Sequence, residues 1–386
     1  MALNAETFEE VFSNLPAKAL CRFKSVCKGC NELTGDDFFL KKHSTNMQSL
    51  EDSCFFLQAN FPSAVELHSL VRTDRLSCGV PVGSLYHLSN TGQVLASNNG
   101  LVCCKNTEDQ TSLFLCNPAA QTWVSIPMPD CVKDNNRSFH VLLQCNEGCS
   151  EFPDHYVLII VASDGSWSSR LCAVTYSPEE RVWKDCGIVE AGSREIDQNT
   201  PPVYIDGTVY LMTDCFPYLS RSSPFYRPYI VAYETKNSAS RFLKIPKAAR
   251  KGIHDQSCQL RIFKWNSGSE SSICLVRLRK SVFSVWKLVD SDFSRWKHIL
   301  KMRAVAMGIK EPQLTIAGFT VINGNSLLIA TNKKIYRFKL AGGVTERKVV
   351  EVCGHTHCGK SVVLHSYSNT LRPCGHGAVP VFLPPI

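Results

Sequence analysis

One pattern recurs down this chain and limits what it can fold into. It is an apolar strand, a polar turn, then an aromatic residue with further hydrophobic ones. Leu113-Phe114-Leu115-Cys116 turns through Asn117-Pro118 into Trp123 and Ile126-Pro127, and Ala173-Val174-Thr175-Tyr176 turns through Ser177-Pro178 into Trp183. Ile230-Val231-Ala232-Tyr233 leads through Lys236-Asn237 to Phe242 and Ile245-Pro246. Phe283-Ser284-Val285-Trp286 leads through Asp290-Ser291 to Trp296 and Ile299, and Lys334-Ile335-Tyr336-Arg337-Phe338 through Gly342-Gly343 to Val349. The repeats stand roughly 50–60 residues apart, the scale of a propeller blade with long loops. Further strands are expected between them, at 100–104, 156–161, 203–212, 273–278 and 326–330, giving the four strands of a blade. Five units are visible, and 53–57 with 361–366 would close a sixth. Spacing alone also fits unrelated hairpins stacked in one or two sandwiches.

The first 45 residues follow a different period. Phe8, Val11, Phe12 and Leu15 stand at i, i+3, i+4 and i+7, one face of a helix, with Asn4 as N-cap and Pro16 as its stop. A second helix is expected to carry Leu20, Phe23, Cys27 and Cys30 on one stripe, beside Val26 and Leu33. A short third helix, capped by Asp36 or Asp37, holds Phe39 and Leu40. Three such helices cannot bury all these apolar groups among themselves. The surplus needs either a partner or the chain's own body.

Composition narrows the compartment and the partner. Of 386 residues, nineteen are cysteines. No signal peptide and no apolar run of membrane length is read, so a reducing compartment is expected, cytoplasmic or nuclear, with the thiols free. The net charge of +8 is unevenly placed. Residues 241–310 carry sixteen Lys/Arg against Asp255, Glu270, Asp290 and Asp292, while the remainder is net acidic. Such a sector either attracts an acidic or phosphorylated partner or is simply solvated surface.

The run from Leu15 to Lys28, LPAKALCRFKSVCK, resembles the plant-type F-box core, and Phe39 with His43 continues its F-x-x-x-H. In the body, Asn98-Asn99-Gly100-Leu101-Val102, Cys116-Asn117-Pro118-Ala119 with Trp123 and Ile126-Pro127, and Asp206-Gly207-Thr208-Val209-Tyr210 resemble the plant kelch-like F-box-associated domain. The resemblance implies a three-helix F-box head at 1–45, a linker at 46–53, and an all-β, kelch-type propeller of about six blades at 54–386. It implies a non-enzymatic substrate-recognition subunit of an SCF-type ubiquitin ligase. The head would bind a Skp-type adaptor, and through it a cullin and a RING protein, by Leu3, Leu15, Pro16, Leu20, Phe23, Val26 and Cys27. Lys18, Arg22, Lys24 and Lys28 would suit an acidic adaptor surface. Asn4, Cys30 and Asp37 depart from the pattern, which has proline, tryptophan and proline there. These departures support a rival reading, a propeller scaffold or decoy whose degenerate head recruits no ligase.

No GxGxxG, Walker loop, HExxH or G-x-S-x-G is present, and no acidic or histidine residue recurs at blade spacing. Neither a cofactor nor catalysis is expected. Cys353, His355, His357, Cys358, Cys374 and His376 gather near the C-terminus without a standard zinc spacing and read as a glycine-rich closing edge. Nucleic-acid binding is not expected, because Trp265, Trp286 and Trp296 fall at hairpin core positions. For the protein target, loop 216–227 supplies the hot-spot composition of aromatics with arginine: Phe216, Tyr218, Arg221, Phe225, Tyr226 and Arg227. The loop also reads as a flexible insertion with no partner.

Overall fold

The computed structural model describes residues 5–48, 54–59, 64–70, 80, 82–106, 111–132, 138–145, 156–163, 168–253, 255, 257–267, 270–340, 349–375 and 377–380. Leu3, Asn4 and His376 lie outside these residues.

The head contains four helices rather than three: α1 (Ala5–Ser13), α2 (Ala17–Phe23), α3 (Lys28–Leu33) and α4 (Asp37–Gln48). The expected second helix breaks because side chains offer its backbone other partners. Ser25 Oγ donates to the Arg22 carbonyl at 2.9 Å, and Cys27, extended at φ −156°, caps α3 by accepting the Cys30 N–H at 3.3 Å. Asp36 caps α4, its Oδ1 accepting the Phe39 N–H at 2.8 Å. Because α4 continues to Gln48, the helical head runs past residue 45.

The rest of the described chain is a six-bladed propeller. Blade one holds β3 (Gly92–Asn98), β4 (Leu101–Asn106), β5 (Ser112–Asn117) and β6 (Thr122–Pro127). Blade two holds β7 (Phe139–Gln144), β8 (Val157–Ser163), β9 (Arg170–Ser177) and β10 (Val182–Glu190). Blade three follows with β11 (Val203–Ile205), β12 (Thr208–Met212), β13 (Tyr229–Glu234) and β14 (Ala239–Lys244). Blade four is β15 (Gln259–Ser267), β16 (Glu270–Arg279), β17 (Val282–Asp290) and β18 (Arg295–Arg303), and blade five is β19 (Ile316–Ile322), β20 (Ser326–Thr331), β21 (Lys334–Lys339) and β22 (Val349–Gly354). Each repeated hairpin is therefore the outer strand pair of one blade, and each intervening segment supplies its second strand.

The ring closes where the sequence places the closure. β23 (Val362–Tyr367), from the C-terminal end, pairs antiparallel with β1 (Cys54–Ala59), and β2 (Val65–Ser69) lies outside them. Helix α5 (Val82–Thr91) then leads to blade one. A second clasp was not foreseen: β24 (Val379–Pro380) adds to the outer edge of β6. This closure shields sheet edges that would otherwise be open to pairing.

Several family-like positions explain themselves as fasteners. Buried Asn117 donates to the carbonyls of Thr370 and Arg372 at 3.0 and 2.7 Å, while its Oδ1 accepts the N–H groups of Ala119 and Ala120. It thus pins the C-terminal tail and shapes the β5–β6 turn. Gly100, at φ +85°, turns β3 into β4 under Thr370, and a Cβ there would collide with the Thr370 hydroxyl. Trp183 donates to the Pro127 carbonyl at 2.7 Å and Trp296 to that of Lys244 at 2.9 Å, each tying one blade to the one before.

The blades define two faces. Residues 95–99, 141–144, 262–264, 320–324 and 364–366 bring five innermost strands to one axial funnel of about 440 Å³, so these strands run in one direction. In blade three the segment leading into β11 lies by the starts of β7 and β15, with Gln198 meeting His140 at 3.1 Å and Thr200 donating to the Leu260 carbonyl at 3.5 Å, which sets β11 the same way. Turns alternate between faces in an antiparallel sheet. The first and third turns of each blade therefore lie on the funnel face, while the second turns and the inter-blade connections lie on the other.

Candidate functional site: a docked head and a basic groove

The head rests on the funnel face. Its core of Phe12, Ala17, Leu20, Cys30 and Phe39 is continuous with Ala119 and Leu371 of the propeller, with Val80 and Ala120 at the margin. Asn99 Nδ2 donates to the Ser44 carbonyl at 3.2 Å across the same contact. Part of the apolar surplus of the head is thus spent on the chain's own body.

The expected adaptor contacts divide accordingly. Leu20 is fully buried and Phe23 half-buried, the latter against Phe12 at a ring-centroid separation of 5.0 Å. Leu20 therefore organises the head from within and offers nothing to a partner. Leu15 is half-buried, and its carbonyl is bonded to His43 Nε2 at 3.0 Å, which explains the Phe39/His43 pattern as a clamp on the Leu15-Pro16 elbow. Pro16, Val26 and Cys27 are exposed, as are Arg22, Lys24 and Lys28 beside them, while Lys18 is half-buried. Cys30 fills the core position where the family has tryptophan, and Asp37 is exposed. Two exposed apolar side chains escaped the sequence reading, Val11 and Phe38, because helical periodicity assigned the first to the core stripe.

Loop 213–228 joins the second and third strands of blade three, so it lies on the opposite face from the head. Arg194, fully buried, holds it together. Its guanidinium donates to the carbonyls of Asp214, Phe216, Phe225 and Tyr226 and pairs with Asp214 Oδ1 at 3.1 Å. Tyr218 donates to Asp214 at 2.8 Å and stacks under the Arg194 guanidinium. Burial raises the Asp214 carboxyl even though Tyr218 and Arg194 pull it down. The loop is a pinned structure rather than a loose insertion.

Beside it lies a groove of about 910 Å³, lined from the loop by Arg221, Phe225, Tyr226 and Arg227, from the end of β14 by Lys244, and from the β14–β15 connection by Lys247, Arg250 and Lys251. Among the described residues, six cations line it and no aspartate or glutamate does. Elsewhere in the basic sector several cations have carboxylate partners: Arg241 with Asp292 at 2.6 Å, Arg279 with Asp255 at 3.1 Å, Arg295 with Asp290 at 2.6 Å. Burial and the neighbouring Arg227 charge hold the Arg250 guanidinium below its ordinary pKa. Phe225 meets Phe242 edge-on at 5.5 Å and forms an aromatic wall. Of the six residues expected to bind a target, four line the groove; Phe216 is exposed outside its lining, and Tyr218 is part of the Arg194 staple.

The C-terminal histidines act as fasteners. His355 Nε2 bonds the Thr331 carbonyl at 2.8 Å. Glu66 meets His68 at 2.8 Å and His357 at 3.5 Å, and accepts the Thr356 N–H at 3.0 Å, joining β2 to the β22–β23 connection. Burial would raise the Glu66 carboxyl, but the bonds from His68 and Thr356 outweigh it and hold it at about 2. Among the described residues no three His, Cys, Asp or Glu side chains gather as a metal site, and no helix is long and apolar enough to cross a membrane.

The described chain is a small helical head on a six-bladed propeller, the architecture of an F-box propeller protein, and comparison with known proteins agrees. Residues 2–42 match the F-box domain, and residues 69–316, more than half the chain, match the β-propeller of F-box protein At3g26010-like proteins. The chain belongs to that family. It is 20% identical over 382 residues to F-box protein At5g49610 of Arabidopsis thaliana, covering 96% of this chain and 97% of that one. F-box/kelch-repeat protein At3g23880 of Arabidopsis thaliana is 23% identical over 224 residues, 54% of this chain and 57% of the relative. Among solved structures, the fucose-specific lectin of Aleuria aurantia aligns at a TM-score of 0.40 and 8% identity, over 68% of this chain and 75% of the lectin, too loosely to bear on function.

Proposed function

We propose that this protein is the substrate-recognition subunit of an SCF-type ubiquitin ligase. The exposed edge formed by Pro16, Arg22, Lys24, Val26, Cys27 and Lys28 takes a Skp-type adaptor, which links the chain to a cullin and a RING protein. The groove of blade three takes an acidic or phosphorylated segment of the target protein. The chain itself performs no chemistry. It holds the target near an activated ubiquitin and so raises the effective concentration of target lysines. Such a receptor works in the cytoplasm or nucleus.

The observation that carries this reading is the separation of two unlike surfaces on opposite faces. On one side is a helical head whose exposed rim mixes apolar and basic groups. On the other is a cavity lined, among the described residues, by six cations and no carboxylate. An unpaired cationic groove costs the folded state self-repulsion that an anionic occupant relieves.

The test is capture of purified full-length protein on an immobilised Skp-type adaptor. Wild type is expected to be retained, and Val26→Asp combined with Arg22→Glu to be lost while its thermal transition stays in place. Failure of the wild type to bind would favour the scaffold or decoy reading, for which Cys30 and Asp37 are the marks.

A further inference from the structure

Cys27-Lys28-Gly29-Cys30 brings two thiols to an Sγ–Sγ separation of 3.2 Å. Cys27 is exposed at the bend between α2 and α3, and Cys30 lies beneath it in the core of the head. The Cys30 N–H and thiol both hydrogen-bond the Cys27 sulfur and hold it below the ordinary cysteine pKa. The Cys30 thiol is pushed up, first by its bond to Cys27 and then by burial. One sulfur is open and readily ionised while the other is shielded, the asymmetry of an attacking and a resolving thiol. Elsewhere, burial pushes Cys103, Cys215 and Cys274 well above the ordinary range. No third ligand joins the pair among the described residues, which leaves redox rather than metal chemistry.

We propose that Cys27 and Cys30 form a reversible dithiol–disulfide site that sets the shape of the adaptor-facing edge. The effect on the adaptor rests on the function proposed above; the disulfide itself does not. With a peroxide as oxidant, the Cys27 thiolate attacks one oxygen, the O–O bond breaks, and a sulfenic acid forms with release of hydroxide. Cys30 sulfur then attacks Cys27 sulfur, the S–O bond breaks, and the departing hydroxide takes the Cys30 proton as water. Two thiols lose two electrons and the peroxide becomes two waters. A small dithiol reverses the step by exchange. The sulfurs must approach by roughly 1 Å to reach bonding distance. That movement withdraws Cys27 from the surface, removes the sulfur that caps α3, and shifts the neighbouring exposed Val26.

The test treats reduced full-length protein with graded hydrogen peroxide, blocks remaining thiols by alkylation, and maps peptides by mass. A Cys27–Cys30 link is expected at doses that leave Cys103 and Cys274 as thiols, and dithiothreitol should reverse it. Cys30→Ser should stop at a Cys27 sulfenic acid that dimedone traps. Adaptor capture should fall roughly fivefold or more on oxidation and recover on reduction, with Cys27→Ser indifferent to both. A pair that stays reduced while other cysteines oxidise, or a Cys27 that oxidises without linking to Cys30, overturns the site. A disulfide that leaves adaptor capture unchanged overturns the switch. Reduced protein that captures no adaptor overturns the ligase reading instead, with the disulfide map still standing.

Discussion

The head and the blade-three groove use the same residue types in opposite ways. In the head, the family-like run divides: Leu20, Phe39 and His43 are buried and hold helices together, while Pro16, Val26 and Cys27 form a thin exposed strip. In the groove, the charged positions run outward, and what is buried is the single Arg194 that fastens the loop behind them. A docking surface can thus be a by-product of packing or can be held up by a hidden scaffold. The two arrangements should fail differently when cut.

Arg194→Met cuts the scaffold. It leaves Asp214 buried without its cation and four carbonyls without a donor, a loss of about 3–5 kcal/mol in buried pairs of this kind. Denaturant unfolding should show that loss, and hydrogen exchange should show it concentrated in 213–228. Leu20→Ala cuts the head's packing and should cost about 2–5 kcal/mol, confined to the helices. If exchange in α1–α4 is unchanged by it, the head does not fold as described.

Acid should destabilise the propeller through two of its buried rings. Buried His140 and His365 are held neutral by burial at about 4, against 6.5 for a free ring. His140 Nε2 faces Gln198 Nε2 at 3.1 Å and must accept that bond. Unfolding lets both rings protonate, so their contribution is complete above pH 6.5 and declines toward pH 4, at about 1.4 kcal/mol per pH unit for each ring. His140→Gln with His365→Gln should flatten the stability–pH curve in that window. A slope unchanged by the pair would refute the assignment.

Surface charges should matter least for stability. Arg221→Glu, Arg227→Glu and Lys247→Glu should each move it by no more than about 0.5 kcal/mol. Removing like-charge repulsion should be visible as a small gain at low salt. A large loss in any of the three would mean that these cations have structural work the groove description omits.

Much of the propeller was legible because strand alternation and Pro, Asn and Gly turns are local signals. Even the β1–β23 closure followed from two unpaired apolar strands at the ends of the series. The break at Cys27 was not legible, since its cause is a side-chain sulfur capping the next helix while the apolar stripe continues through it. β24 was missed because two residues carry no period. The site was legible in its loop and in its sector charge, and less so in its members. That Arg241 is paired depends on Asp292, half a hundred residues away in the next blade. Arg194 gave no signal, because most of its partners are main-chain carbonyls that any loop sequence supplies.

The central claim is that adaptor and target dock on separate faces. It is tested most directly by fluorescence anisotropy of a labelled peptide carrying two phosphoserines, titrated with full-length protein alone and saturated with Skp-type adaptor. The account predicts the same affinity in both states, weakening as salt rises past roughly 0.15 M, and loss of binding in the triple Arg221→Glu, Arg227→Glu, Lys247→Glu variant. Displacement of the peptide by adaptor, or equal binding by the triple variant, would contradict it.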